Sequence, residues 1–227
     1  MRLIDRIKNN NFLVYKLLLF TSLFILFCLR LNYKTFYDDE IGTIEVIRSF
    51  ESIFSLYSYL NKWDVSPPLS YILVFIGEKF FTFKYAPLLI LPLQFFCINA
   101  FVNSTVRYFE NNFQIKSVYL FSIILNPIFL LWCSSLRWYS LWVPLALYII
   151  GKIFFQFKRD DLENFLILVF LSIMFHLSYL TLVFALCLFF SSFKTFYRDF
   201  YNFLKSKLLI TLTLIIINIP QFYFFLK

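Results

Sequence analysis

Apolar positions run almost without interruption through this chain, in stretches near 12–29, 68–83, 85–104, 117–135, 138–157, 162–192 and 208–226. Most are 16 to 20 residues or more of solid hydrophobicity, whereas a membrane β-barrel would alternate apolar and polar residues. Lipid cannot satisfy backbone polar groups, so such runs predict membrane-spanning helices, which need about 20 residues each. The expected fold is all-α: one polytopic membrane domain over residues 1–227, with no soluble domain and no internal repeat.

Two runs need adjustment. The 68–83 run is short, opens on Pro67 and Pro68, and is interrupted by Glu78 and Lys79. It predicts a helix lying on, or dipping into, the outer leaflet, with a short span and a different count as the alternative. The 162–192 run is too long for one unstrained helix. Splitting it at His176, Ser178 and Tyr179 gives two short spans, and about seven in all. Between the first two spans, "IGTIEVIRSFESIFSLYSYL" carries Ile44, Ile47, Phe54 and Tyr57 at helical steps, with Glu45, Arg48, Glu51 and Ser55 largely elsewhere. That pattern predicts an amphipathic helix at the interface, beginning after Glu40.

Composition agrees. The chain has 227 residues, 34 Phe, 15 Tyr and only 15% charged residues, against about 25% in a soluble domain. Its net charge of +8 is read as loop bias and not as a nucleic-acid surface. Segments 1–16, 105–117, 151–161 and 193–207 hold 13 of the 21 Lys and Arg. Placing these in the cytoplasm puts the N-terminus inside, the C-terminus outside, and residues 30–84 in an outer loop with juxtamembrane helices. The first run lacks a small-residue cleavage site and reads as an uncleaved span. Cys28, Cys97, Cys133 and Cys187 each sit inside an apolar run, as small buried side chains would.

The same placement gathers the unusual polar residues on the outer side. Asp38, Asp39 and Glu40 stand together, Asp64 precedes the double proline, and Arg137 and His176 mark later turns. Adjacent carboxylates at a membrane boundary can supply a general base, although acids also favour a first helical turn. Arg137, flanked by Trp138 and Tyr139, is expensive at that depth without a partner, and phosphate or carboxylate is the natural one. The acids could hold a divalent cation, but the pattern requires no metal and no cofactor.

This order resembles the GT-C superfamily of integral membrane glycosyltransferases. The residues that carry it are Asp39-Glu40, "DVSPPLSY" from Asp64 to Tyr71, "RWY" from Arg137 to Tyr139, and "FHLSYL" from Phe175 to Leu180. It looks closest to the bacterial branch related to aminoarabinose and protein mannosyl transferases. Ser66 stands where many relatives carry His. The resemblance implies a plasma (inner) membrane enzyme of cell-envelope glycan assembly. It would transfer a sugar from a polyprenyl-phosphate donor to a lipid-linked glycan, lipid or protein acceptor on the outer, periplasmic face, with inversion. It further implies Asp39 as base, with Glu40 and Asp38 holding it. Asp64, Arg137, Tyr139 and His176 would bind substrate. Lys62, Lys79 or Lys84 would help Arg137 with the phosphate, and Trp63, Trp138 and Tyr139 would flank sugar or lipid. Such enzymes usually continue for several more spans, so a compact member, half of a split enzyme and an inactive truncated product all stay open.

Three other readings compete. A polysaccharide polymerase, or another lipid-linked glycan protein, would pair an arginine turn with a histidine turn but would not need the acids and the Pro-Pro segment. A transporter predicts charged, broken helices at midplane and an internal repeat. A membrane scaffold would leave the outer acids without chemistry.

Overall fold

A computed structural model describes residues 2–33, 35–63, 68–108, 126–156 and 159–191, and short pieces between 205 and 219. Every regular element among these is helical. In order they are α1 (Arg2–Asn32), α2 (Asp38–Arg48), α3 (Ile53–Trp63), α4 (Leu69–Phe80), a 3₁₀ turn (Ala86–Ile90), α5 (Leu91–Tyr108), α6 (Pro127–Cys133), α7 (Tyr139–Phe154), α8 (Asp161–Leu177) and α9 (Leu180–Ser191). The 3₁₀ turn runs on into α5. Ala86–Tyr108 is the one helical run among the described residues that is long and apolar enough, by length and composition, to cross a membrane.

Two packed clusters form the bundle. Leu23, Phe27 and Leu31 recur every four residues on α1 and bury against Ile98, Phe101 and Val102 of α5 and Phe129 of α6. Leu141, Leu145 and Ile149 form the matching stripe of α7 and meet Ile167, Phe170 and Met174 of α8. The outward face of α1 stays apolar, with Leu17 and Leu18 more than 60% exposed. If such faces meet lipid, packing rather than water exclusion holds the helices together. Gly151 supplies one close fit: a Cβ there would lie 3.1 Å from the Phe101 Cα.

A third cluster caps one end of the bundle. Ile44 and Ile47 of α2, Leu56 and Leu60 of α3, and Tyr71, Val74 and Phe75 of α4 close around Leu136. Helix α4 has 12 residues, about 18 Å at 1.5 Å per residue, too short for a hydrocarbon layer of about 30 Å. The short helix expected at the Pro-Pro segment is therefore present as a cap element. Its Gly77 lies against Ala86, where a Cβ would come within 2.9 Å of the Ala86 carbonyl oxygen.

The 162–192 run divides as its length required. Helix α8 ends at Leu177, Ser178 is extended (φ −161°, ψ 139°), and α9 starts at Leu180. The amphipathic stretch differs from expectation. It forms two helices, and the first begins at Asp38. The break falls in a serine-rich corner: Ser49 Oγ donates to the Glu45 carbonyl at 2.9 Å, and Ser55 N donates to Ser52 Oγ at 3.1 Å. Those hydroxyls compete with helical hydrogen bonding, ending one helix and capping the next. The buried face of α3 is Leu56 and Leu60, while Phe54 is 87% exposed.

Candidate functional site

Helix α2 carries the three acids in its first turn, where carboxylates favour the positive end of the helix dipole. Their fates differ. Asp38 and Asp39 are exposed, and Glu40 is fully buried. Glu40 Oε2 accepts from its own helix start, the Tyr37 N–H, at 3.2 Å. Glu40 Oε1 reaches across the molecule and accepts the Leu136 N–H at 2.7 Å. One carboxylate thus ties α2 to the turn between α6 and α7.

The next residue on that turn is Arg137. Its Nη1 donates to Thr43 Oγ1 at 3.2 Å and, more weakly, to the Asp39 carbonyl at 3.4 Å. Thr43, almost fully buried, donates its own hydroxyl to the same Asp39 carbonyl at 3.0 Å. Arg137 Nε is buried and makes no hydrogen bond. A guanidinium has five N–H donors in a fork suited to oxyanions, so this one keeps donor capacity to offer. Tyr139 is within electrostatic reach of Glu40, Asp39 and Arg137, and its ring packs edge-on to Trp138 with centroids 5.4 Å apart.

Beside this group lies a small cavity of about 20 Å³, room for roughly one water. Arg137, Trp138 and Ser140 form one wall, Ser70, Leu73 and Val74 of α4 another, and Leu177 at the end of α8 closes it. His176 precedes Leu177 at the same end of the bundle but does not line the cavity. Asp64 lies outside the described residues, and so do the Lys62 and Trp63 side chains. Two other residues expected at the phosphate are placed elsewhere. Lys79 rests over the Phe75 ring, and Lys84 donates to the Asn32 carbonyl at the end of α1.

Sequence reasoning missed Gln94. It is buried in α5, and its Nε2 donates at 2.8 Å to both the Cys133 and the Ser140 carbonyls. Pro144 sits inside α7 and has no N–H, so the carbonyl four residues back, that of Ser140, loses its helical donor. Cys133 ends α6, where carbonyls are also left without partners. Gln94 serves both and braces the arginine turn from below. The proline was the signal: a buried mid-helix proline leaves a carbonyl that demands a replacement donor.

No three residues of metal-ligand type are arranged to hold an ion among the described residues. Cys187 is exposed, contrary to expectation, while Cys97 and Cys133 are buried. Comparison with family models, with curated proteins and with solved structures finds no match to this chain.

Proposed function

We propose that the chain is an integral membrane glycosyltransferase that moves a sugar from a polyprenyl-phosphate carrier to an acceptor hydroxyl on the non-cytoplasmic face. The Asp39 carboxylate takes the proton of the acceptor hydroxyl as its oxygen bonds to the anomeric carbon from the side opposite the phosphate. The bond from that carbon to the phosphate oxygen breaks, the electron pair leaves with the lipid phosphate, and the configuration inverts. Arg137 receives the developing negative charge, as preorganised donors do in a low-dielectric site. Glu40 and Thr43 position α2 and the arginine against each other. Asp38, Tyr139, Asp64 and His176 remain candidates around this centre. The membrane arrangement that goes with this reading has about seven spans, with the N-terminus in the cytoplasm and the active centre on the outer face of the plasma (inner) membrane.

The observation that carries the reading is the Arg137 guanidinium seated on the first turn of α2, one residue from an exposed carboxylate. An exposed acid and an arginine with spare donors then stand together at the start of α2. The test is transfer of radiolabelled sugar from polyprenyl-phosphate donors in isolated membranes. Asp39→Asn should lower transfer about 10²–10⁴-fold, the usual worth of a general base, with membrane insertion unchanged. Unaltered transfer would remove Asp39 from the mechanism. The polymerase reading keeps one support, the meeting of the arginine turn and the end of α8 at a single cavity. Glycan chain extension in the same assay, without transfer of single sugars, would favour it.

A further inference from the structure

The end of the bundle opposite Arg137 holds a polar groove that the proposed chemistry does not use. Along α5, Asn99, Asn103 and Arg107 recur every four residues and form a polar stripe. Along α7 and just past it, Tyr148, Lys152 and Gln156 repeat the same spacing. The stripes face one another across a groove of about 330 Å³, closed by Asp160 and Glu163 at the start of α8. Its rim is apolar and outward-facing, with Phe96 47% and Leu162 63% exposed.

Most of the charge inside is already matched. Lys152 pairs with Glu163, and Gln156 Nε2 donates to the other Glu163 oxygen at 2.7 Å. Asp160 accepts the Glu163 N–H at 2.7 Å and so caps α8. Arg107 stands apart. It lines the groove, is exposed, and forms no ion pair among the described residues. Around it lie the amides of Asn99 and Asn103, the latter held by Lys16 Nζ at 2.7 Å. The groove therefore carries one cation outside any ion pair among the described residues, Arg107, together with the capping acid Asp160, neutral amide donors and an apolar lip turned outward. Polar residues at membrane depth are costly unless they have a use.

We infer that this groove binds the phosphate headgroup of an anionic membrane phospholipid, with Arg107 as the anchoring cation and the acyl chains lying over Phe96 and Leu162. A free anion would need no apolar lip, and a zwitterionic headgroup would bring its own cation to a place where Arg107, Lys16 and Lys152 outnumber Asp160 and Glu163.

The test is native mass spectrometry of the full chain released from detergent micelles. The probes are dioleoyl phosphatidylglycerol, dioleoyl phosphatidylcholine, dioleoylglycerol and inorganic phosphate. The expected result is one retained phosphatidylglycerol, favoured over both other lipids. Arg107→Gln should weaken that binding about fivefold, the worth of roughly one cation at a membrane surface, and Arg107→Lys should restore most of it. Asn103→Leu should weaken it as well. Lys79→Gln, an exposed cation at the other end, should leave it unchanged. Equal retention of the three lipids, or full binding by Arg107→Gln, overturns the site. Displacement of the lipid by millimolar inorganic phosphate shows a free-anion site and overturns the lipid assignment.

Discussion

The buried carboxylate of Glu40 accepts the backbone N–H of Leu136 at 2.7 Å, joining two residues 96 positions apart. This bond sets where α2 sits, and so where Asp39 lies relative to Arg137. Leu136 is itself 1% exposed, so water cannot replace the lost acceptor. Glu40→Ala should destabilise the fold by about 1–3 kcal/mol, the cost of stranding a buried N–H. Glu40→Gln keeps one carbonyl oxygen and should cost less. Thermal unfolding in detergent, followed by circular dichroism, checks both. A melting temperature for Glu40→Ala equal to that of wild type would show that the bond adds nothing.

Arg137 makes its contacts through one end of a planar fork and leaves Nε without a partner. A lysine there can reach Thr43 but cannot present the same set of donors to an oxyanion. Arg137→Lys should therefore reduce sugar transfer about 10²-fold or more, in the range found when one preorganised donor is removed. Thr43→Val should have a smaller effect, since it frees the arginine without removing it. Initial rates at saturating donor separate the two. If Arg137→Lys transfers sugar at the wild-type rate, the guanidinium is an anchor for α2 and nothing more.

Gln94 and Pro144 should be coupled. Gln94→Leu strands the Cys133 and Ser140 carbonyls together, at about 1–3 kcal/mol for each group left bare. Pro144→Ala returns an N–H to α7 four residues after Ser140, giving that carbonyl a helical donor again. The double variant should recover part of the stability that Gln94→Leu loses, so the two changes will not add. A double-mutant cycle of melting temperatures measures the coupling. Strict additivity would mean that the amide does not stand in for the missing proline N–H.

What could be read in advance followed from patterns that are local. The break at Ser178 was legible because the 162–192 run is too long for one span and holds its polar residues at the middle. The shortness of α4 was legible from Pro67, Pro68, Glu78 and Lys79. The division of α2 from α3 was not, because Ile44, Ile47, Phe54 and Tyr57 keep helical spacing across it. Nor could the sequence say which of three adjacent acids would be buried. That choice depends on Leu136, a partner 96 residues away. The resemblance offered Lys79 and Lys84 as phosphate ligands, and the fold commits them to Phe75 and Asn32.

The three glycines give a graded test of packing. A Cβ at Gly77 would meet the Ala86 carbonyl oxygen at 2.9 Å, with the Ala86 Cα at 3.2 Å, so backbone must move. At Gly151 it would meet the Phe101 Cα at 3.1 Å, again backbone. At Gly42 nothing lies within 4 Å. Gly77→Ala and Gly151→Ala should each cost about 1–3 kcal/mol, as overpacking does, while Gly42→Ala should gain about 0.5–1 kcal/mol from helix propensity. Melting temperatures in one detergent rank the three. Equal effects would mean that the close approaches of α4 and α7 are not tight.

Sidedness is the last relationship that can be put to measurement. The end holding Asp39, Arg137 and Leu177 and the end holding Arg107, Gln156 and Glu163 are opposite ends of one bundle, because α7 lines the first with its start, Ser140 and Leu141, and the second with its end, Tyr148 and Lys152. Arg107, Lys152 and Arg159 belong to the second end, and positive loops favour the cytoplasm. In a background with the four native cysteines replaced, Asp39→Cys and Trp138→Cys should react with a membrane-impermeant maleimide added to intact spheroplasts. Arg107→Cys and Gln156→Cys should react only after the membrane is opened. The expected pattern follows from charge, since the helices pack equally well in either orientation. Labelling of positions 39 and 138 from opposite sides would contradict the bond between Glu40 and Leu136. Labelling of both from the cytoplasmic side alone would leave the fold intact and move the proposed transfer to the wrong compartment for a donor on the outer face.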